Sequence, residues 1–169
     1  KTDDAAGKLY PQAPRIHYAI LNRRDHQILR EAGVSAERLH FLPNTVPAVD
    51  RPADRDESRR KLHERFGVSS TERYVLYPVR GIRRKNVGEA LLWSVLAGDE
   101  TVVGMTLAPL NPAARTGYER WKQFAVELAV PFLFETGEAG GLTFEENLAA
   151  ADLILTTSVA EGFGMVFLE

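Results

Sequence analysis

The sequence predicts a doubly wound α/β domain with a parallel sheet, preceded by a short strand, helix and strand. Four short apolar runs alternate with helical patterns between residues 74 and 156. Neighbouring parallel strands need a crossover helix between them, and this alternation supplies one each time. The composition, with 44% hydrophobic residues, 26% charged residues and no cysteine, is typical of a globular protein without disulfides.

Region 1–46 is predicted to be the end of a preceding domain. The apolar run over 15–21 is typical of a buried strand, and the helix after it begins at an Asn22 cap and ends at Gly33. A second short strand is expected over 38–42. The predicted inner face of the helix consists of Ile28, Leu29 and Ala32.

Residues 47–58 are rich in proline, aspartate and arginine and contain almost no core-forming side chains, which predicts a linker. The second domain is therefore expected to cover 59–169. Because the chain starts without methionine and stops in the apolar run 163–168, we expect the remainder of the protein to be missing from this sequence.

The second domain is predicted to contain four parallel strands, over 74–79, 101–107, 131–134 and 152–156. A short helix over 57–66 precedes them and ends at Gly67. The helices between the strands have recognisable start signals, namely a capping box from Asn86 to Glu89, Asn111 followed by Pro112, and a capping box from Thr143 to Glu146.

Apolar spacing predicts which faces of the first two of these helices pack on the sheet. In the helix after Asn86 the inner residues are Val87, Ala90, Leu91 and Leu96. In the helix after Asn111 they are Ala114, Tyr118, Trp121, Ala125 and Leu128. Ligands of such sheets bind beyond the carboxyl ends of the strands, so the loops to search follow Val79, Leu107, Phe134 and Thr156.

The loop after the first of these strands concentrates positive charge. Four cations occur within six residues, namely Arg80, Arg83, Arg84 and Lys85. The loop lies ahead of a helix N-terminus, whose dipole also favours an anion. A phosphate or diphosphate fits this arrangement, and a solvated basic surface is the alternative that this stretch alone leaves open.

The loop after the fourth strand combines two glycines with two carboxylates. It contains Glu161, Gly162 and Gly164, and Glu169 lies about two turns into the helix predicted from Phe163. Such carboxylates could accept hydrogen bonds from the hydroxyls on both sides of the diphosphate in a nucleotide-sugar. The alternative is a tight turn, with Glu161 as partner of the helix dipole. A glycosidase pair is less favoured, because the spacing supplies no sugar cleft.

Several classes of partner are not expected. The 21 Lys and Arg against 23 Asp and Glu give a net charge of −2, so nothing favours nucleic acid. The four histidines have no ligand spacing and cysteine is absent, so no metal site is expected. No apolar stretch could span a bilayer and no signal peptide opens the chain, which predicts a cytoplasmic protein.

Two motifs resemble those of a known family. The stretch Glu161-Gly162-Phe163-Gly164 with Glu169 resembles the Glu, seven residues, Glu motif of retaining GT-B glycosyltransferases of the group 1 family. Arg80 followed five positions on by Lys85 resembles their phosphate-binding Arg and Lys. Residues 38–46 are similar to the end of their N-terminal domain. The resemblance implies a Rossmann-like C-terminal GT-B domain, truncated here.

The resemblance also implies a role for each motif residue. Arg80 and Lys85 would hold the leaving diphosphate, and Glu161 would hold hydroxyls of the donor sugar. The further donor contacts that it implies are Gly162, Phe163 and Gly164 at the sugar, Glu169 at the ribose, and Thr136 and Gly137 at the base. Because prepositioned cations neutralise the charge of the leaving group, no metal and no cofactor are expected.

The expected function is transfer of a sugar from a nucleotide-sugar donor to an unidentified acceptor, with the missing N-terminal domain as a route to peripheral membrane attachment. The alternative is a non-catalytic module that binds a nucleotide or a sugar phosphate, because a fold does not fix a function. The nucleotide base, the sugar, the acceptor and the oligomeric state are left open by the sequence.

Overall fold

The computed structural model describes residues 8–43, 45 and 52–159, which fall into two compact units on either side of residue 48. In the first unit, β1 (Tyr18–Ile20) pairs parallel with β2 (Leu39–Phe41), and α1 (Arg23–Glu31) connects them. The predicted order of strand, helix and strand is confirmed, with strands shorter than the apolar runs suggested.

Local signals set the ends of α1. The Asn22 side chain accepts a hydrogen bond from the Asp25 amide at 2.8 Å, and Gly33 has a φ of +88°. Leu29 is buried, whereas Ile28 is 43% exposed, so the predicted inner face is wrong at Ile28. A two-stranded sheet is too narrow to cover more than one row of side chains.

The second unit is an α/β sandwich around one parallel sheet. Its elements are α2 (Arg55–Phe66), β3 (Arg73–Arg80), α3 (Val87–Leu96), β4 (Thr101–Leu107), α4 (Pro112–Glu127), β5 (Phe132–Leu133), α5 (Phe144–Ala150) and β6 (Leu153–Ile154). The strand order is β5-β4-β3-β6 with every pairing parallel, which confirms the predicted doubly wound sheet.

The strand order creates a switch point between β3 and β6. From β3 the chain adds β4 and β5 on one side, and it then crosses to place β6 on the other side of β3. In open parallel sheets a crevice forms beyond the carboxyl ends of the strands at such a point, where the flanking loops diverge. The loops after β3 and β6 border this crevice.

Both faces of the sheet are packed. Tyr77, Val103 and Met105 are buried on one face with Leu91 of α3, and Tyr74 and Leu76 on the other with Leu62 of α2. The Tyr74 hydroxyl donates to Asn147 Oδ1 at 2.8 Å, and burial raises the pKa of Tyr74 to about 12. A Cβ at position 104 would lie 2.3 Å from that hydroxyl, so this packing needs Gly104.

The three predicted helix starts are confirmed, and two of them have a side-chain cap. The Asn111 side chain accepts from the Ala113 amide at 2.9 Å, and Thr143 forms a capping box with Glu146. The capping box predicted at Asn86 is wrong, because Asn86 ends a short 3₁₀ turn with a φ of +61° and its side chain makes no capping bond. Helix α2 begins at Arg55, so the end of the segment 47–58 is helical.

The predicted inner faces of α3 and α4 are confirmed by burial at Val87, Ala90, Leu91, Tyr118 and Ala125 and are wrong at Leu96, Trp121 and Leu128. Leu96 is 76% exposed, since it lies five residues after the buried Leu91 and therefore about 140° around the helix. Tyr118 is buried, but Trp121 is 40% exposed and Leu128 is 62% exposed. None of the described helices is long and apolar enough to cross a membrane.

Candidate functional site

The two loops singled out by their charge and glycine pattern lie side by side at the switch point. We call residues 80–86 the basic loop and residues 155–159 the β6 loop. The Thr157 hydroxyl lies 2.9 Å from the Lys85 carbonyl oxygen and 3.1 Å from that of Asn86. The Val159 amide donates to the Arg84 carbonyl at 3.0 Å. These bonds hold the two loops in one arrangement.

Two of the four cations in the basic loop turn inward. Arg80, the last residue of β3, is half-buried and donates from Nη1 to the Ala108 carbonyl at 2.9 Å. Lys85 is only 9% exposed. Arg83 and Arg84 are exposed, and the Arg83 side chain makes no hydrogen bond or ion pair with any residue the structure describes. The two less exposed cations, Arg80 and Lys85, are the two that the family motif selects.

A third loop, residues 134–143 after β5, carries Thr136 and Gly137. Thr136 is fully buried, and its amide donates to the Met105 carbonyl at 2.9 Å. Its hydroxyl faces the hydroxyl of Tyr74. Gly137 is half-buried and its amide donates to the Thr106 carbonyl at 2.9 Å. Contact with a base, which stays a prediction, would therefore come from the backbone at Gly137 and not from the Thr136 side chain.

Glu135, at the start of this third loop, was not expected from the sequence. It has a φ of +64°, a strained conformation for this residue type, at the carboxyl end of the sheet. Its carboxylate accepts hydrogen bonds from the Tyr118 hydroxyl and the Lys122 ammonium, both at 3.0 Å. Burial acts to raise the pKa of Glu135, but these two bonds outweigh it and lower the pKa. The ionised Glu135 carboxylate thus anchors the start of this loop to α4.

Ser158 in the β6 loop has a buried hydroxyl oxygen that makes no hydrogen bond in the described part of the chain. A buried polar atom without a partner is uncommon in native proteins and is often completed by a ligand or water. This serine lies three positions before the start of the family motif, whose members Glu161, Gly162, Phe163, Gly164 and Glu169 all lie outside the described residues.

Two cavities of similar size lie at opposite ends of the sheet. One of about 380 Å³ is bordered by Arg59, Arg73 and Asp152 at the amino ends of the strands. The other, of about 340 Å³, lies beside the basic loop between Gly88 and Trp121. The second cavity is lined by the basic loop, α3 and α4, so it lies on the β4 side of β3 and is separate from the crevice between the loops after β3 and β6. No group of three metal-ligating side chains occurs among residues 8–43 and 52–159.

Solved structures share this architecture. The structure of Anabaena Alr3699/HepE in complex with UDP-glucose matches with a TM-score of 0.66 and 18% identity, over 96% of this chain and 44% of that chain. WaaG, a glycosyltransferase involved in lipopolysaccharide biosynthesis, matches with a TM-score of 0.63 and 20% identity, over 96% and 43%. The described fold is that of the GT-B glycosyltransferases, as the motifs predicted.

A curated relative gives a similarity in sequence. The chain is 34% identical over 176 residues to a mannosylglucosyl-3-phosphoglycerate synthase of Petrotoga mobilis, an alignment that covers 95% of this chain. The chain spans 33% of the length of that relative. No protein-family model matches the chain.

Proposed function

We propose that the protein is a retaining glycosyltransferase that uses a nucleotide-sugar donor, and that this chain carries the donor site. The observation that carries the proposal is the inward orientation of Arg80 and Lys85 beside the β6 loop, at the switch point of a GT-B sheet. Two cations at this point suit the diphosphate that joins the nucleoside to the sugar.

The chemistry asked of these residues is stabilisation of charge. When the bond between sugar and diphosphate breaks, negative charge grows on the departing phosphate oxygens. Arg80 and Lys85 are already held in position before the reaction, so they stabilise this charge without reorganising. Lys85 is 9% exposed, and a charge acts more strongly where water is largely excluded. The proposal includes no metal ion and no cofactor.

The remaining donor contacts rest on the family motif. In this proposal Glu161 holds hydroxyls of the donor sugar, the backbone of 162–164 touches the sugar, and Glu169 binds the ribose. The Ser158 hydroxyl, which is buried and unpaired in the described part of the chain, is adjacent in sequence to this segment. The base lies against the backbone of the loop at Gly137.

The comparisons suggest which ligands to test first. The HepE structures contain UDP or UDP-glucose, which makes UDP and UDP-sugars the first donors. The curated relative is named for the synthesis of a glycosylated 3-phosphoglycerate, so phosphoglycerate and its glycosides are the first acceptors. The GDP and ADP series belong in the same screen, because the base contacts are made by backbone groups.

The test measures thermal stabilisation of the full-length protein by UDP, GDP and ADP, followed by transfer from the matching sugar donors. At a hundredfold excess over Kd, one nucleotide should raise the stability by about 2.7 kcal/mol. Failure of all three would contradict the proposal. Stabilisation without transfer or donor hydrolysis would favour the alternative, a binding module without catalysis.

We further propose that residues 1–169 alone catalyse no transfer. The chain spans 33% of the length of its curated relative, and the acceptor has to be bound and oriented by further residues for the reaction to proceed. Product formation by this polypeptide, measured by mass spectrometry against the full-length protein, should stay at the level of the buffer. Turnover above that level would contradict this part of the proposal.

A further inference from the structure

The three loops at the carboxyl edge of the sheet are connected through the backbone of one residue, Ala108. The Ala108 carbonyl, after β4, accepts the hydrogen bond from Nη1 of Arg80 at 2.9 Å. The amide of the same residue donates to Oε1 of Glu138 at 3.1 Å. Glu138 belongs to the loop after β5, so one carboxylate supports the backbone that holds the inward arginine.

We propose that Glu138 is a positioning residue for the donor diphosphate, acting through the backbone of Ala108 on Arg80. This inference rests on the proposed function, since it assigns Arg80 to the diphosphate. Glu138 itself touches no reacting atom in this scheme. Its carboxylate holds the peptide group between Leu107 and Ala108. The carbonyl of the next peptide group, between Ala108 and Pro109, directs the guanidinium of Arg80.

The surroundings of Ala108 explain why one carboxylate is sufficient. Pro109 follows Ala108, is fully buried, and confines Ala108 to extended conformations. On the other side, the Gly81 amide donates to the Leu107 carbonyl at 2.9 Å, and this carbonyl belongs to the same peptide group as the Ala108 amide. Gly81 and Glu138 therefore hold that peptide group from its two sides, which fixes the position from which the Ala108 carbonyl extends toward Arg80.

The position of Glu138 connects the two halves of the proposed donor site. It follows Gly137, whose backbone is proposed to lie against the base, and its carboxylate is exposed except for the contact with Ala108. A nucleotide that orders the loop after β5 would therefore also order the peptide that directs Arg80. In this scheme Glu138 couples binding of the base to binding of the diphosphate.

The substitutions Glu138→Ala and Glu138→Gln separate this role from others. Glutamine keeps an acceptor oxygen for the Ala108 amide, whereas alanine removes it. We expect Glu138→Ala in the full-length protein to lower kcat/KM for the donor by roughly 5- to 50-fold, because small misplacements at a site are costly. Glu138→Gln should stay within about twofold of the wild type. Glu127→Ala is the matched control, since that exposed carboxylate bonds only to Gln123 of its own helix.

Two further measurements exclude a merely structural role. The Kd of inorganic pyrophosphate and of UDP, measured by calorimetry, should rise in Glu138→Ala but not in the glutamine and control variants. In hydrogen exchange, the segment 105–110 should exchange faster in the alanine variant only. All variants should keep the wild-type Tm within about 1 °C, because a single exposed hydrogen bond adds little to folding.

The decisive test is a double-mutant cycle with Arg80→Ala. If Glu138 acts through Arg80, the change Glu138→Ala has no further effect on kcat/KM once Arg80 is alanine. Additive effects would overturn the inference and would indicate direct contact of Glu138 with the donor. Unchanged kinetics in Glu138→Ala would also overturn it, while leaving the donor site intact. Absence of nucleotide and pyrophosphate binding by the wild type would instead defeat the proposed function, and the inference with it.

Discussion

The hydroxyl of Thr157 lies 2.9 Å from the carbonyl oxygen of Lys85, a residue 72 positions earlier in the chain. The Tyr77 hydroxyl also contacts Thr157 Oγ1, at 2.7 Å, so a polar cluster joins the centre of β3 to both loops at the switch point. Lys85 takes part in this cluster through its backbone carbonyl, which accepts hydrogen bonds from the Tyr77 and Thr157 hydroxyls. The orientation of the basic loop therefore depends on the end of β6.

The first prediction concerns this cluster. Replacing Thr157 by valine keeps the shape but removes the hydroxyl, which leaves the Lys85 and Tyr77 groups without one partner. The Tyr77 hydroxyl still donates to the Lys85 carbonyl, so each of these two groups keeps a partner. We expect a loss of about 0.5–1.5 kcal/mol in the free energy of unfolding, which is the usual net contribution of a hydrogen bond. Donor kcat/KM should fall together with it. Urea denaturation and donor kinetics check this, with Thr157→Ser as the control that retains the hydroxyl and should behave like the wild type.

The second prediction separates inward from exposed cations of the basic loop. Arg80→Ala and Lys85→Met each remove a charge aimed at the proposed diphosphate, so turnover should fall by about 10²–10³. Arg83→Ala, in the same loop, removes an exposed cation that has no described partner, and its turnover should stay within about twofold. Steady-state kinetics at saturating donor measure the difference. Equal effects of all three substitutions would mean that the loop acts only as a diffuse basic surface.

How far the sequence predicts this molecule depends on where each signal lies. Strand β4 has the predicted bounds, 101–107, because its run of mostly β-branched and apolar residues is buried over its first six positions. Asn86 has the residue pattern of a cap, yet it ends a 3₁₀ turn whose conformation is set by the β6 loop. That contact joins residues far apart in the chain, and no local pattern reveals it.

The same distinction applies to the candidate site. Arg80 and Lys85 are recognisable because their spacing belongs to a motif, and the structure turns these two inward. Glu135 and Glu138 have no such pattern: their partners are Tyr118, Lys122 and the Ala108 amide, which the fold alone brings near. Trp121 has helical core spacing, but it is 40% exposed because it faces the groove beside Gly88.

The third prediction concerns the two carboxylates of the motif. If Glu161 and Glu169 hold sugar and ribose hydroxyls, the Glu→Gln changes keep the shape and weaken hydrogen bonds of about 1.5–3 kcal/mol. Donor kcat/KM should fall roughly ten- to a hundredfold with little change in Tm, and Glu161→Gln should be the more damaging. A tight turn without a ligand predicts the reverse, namely a loss of stability of about 0.3–1 kcal/mol at Glu161 and normal kinetics. Wild-type kcat/KM in Glu161→Gln would contradict the assignment.

The last prediction tests the ion pairs at the opposite edge of the sheet. Asp152 accepts hydrogen bonds from Arg55 and Arg59, both at 2.6 Å, and from the Tyr74 amide at 2.8 Å. Burial acts to raise the pKa of Asp152, but the Tyr74 amide and the two arginines outweigh it, so the pKa lies below its ordinary value of 3.8. The carboxylate connects α2 to the amino ends of β3 and β6. The cavity of about 380 Å³ beside it is therefore bordered by residues that stabilise the fold.

A carboxyl group with a lowered pKa stabilises the folded state above its unfolded pKa and loses that contribution as the pH falls through its folded pKa. Asp152→Asn should therefore lower the free energy of unfolding by about 1–2 kcal/mol between pH 5 and 8, a value that allows for the partial exposure of the carboxylate. The difference from the wild type should shrink only below about pH 4. Urea unfolding across this range measures it. Asp99→Asn, at an exposed carboxylate without a described partner, is the control and should match the wild type throughout. A difference that persists undiminished at pH 3 would show that the asparagine is harmful for its shape and not for its missing charge.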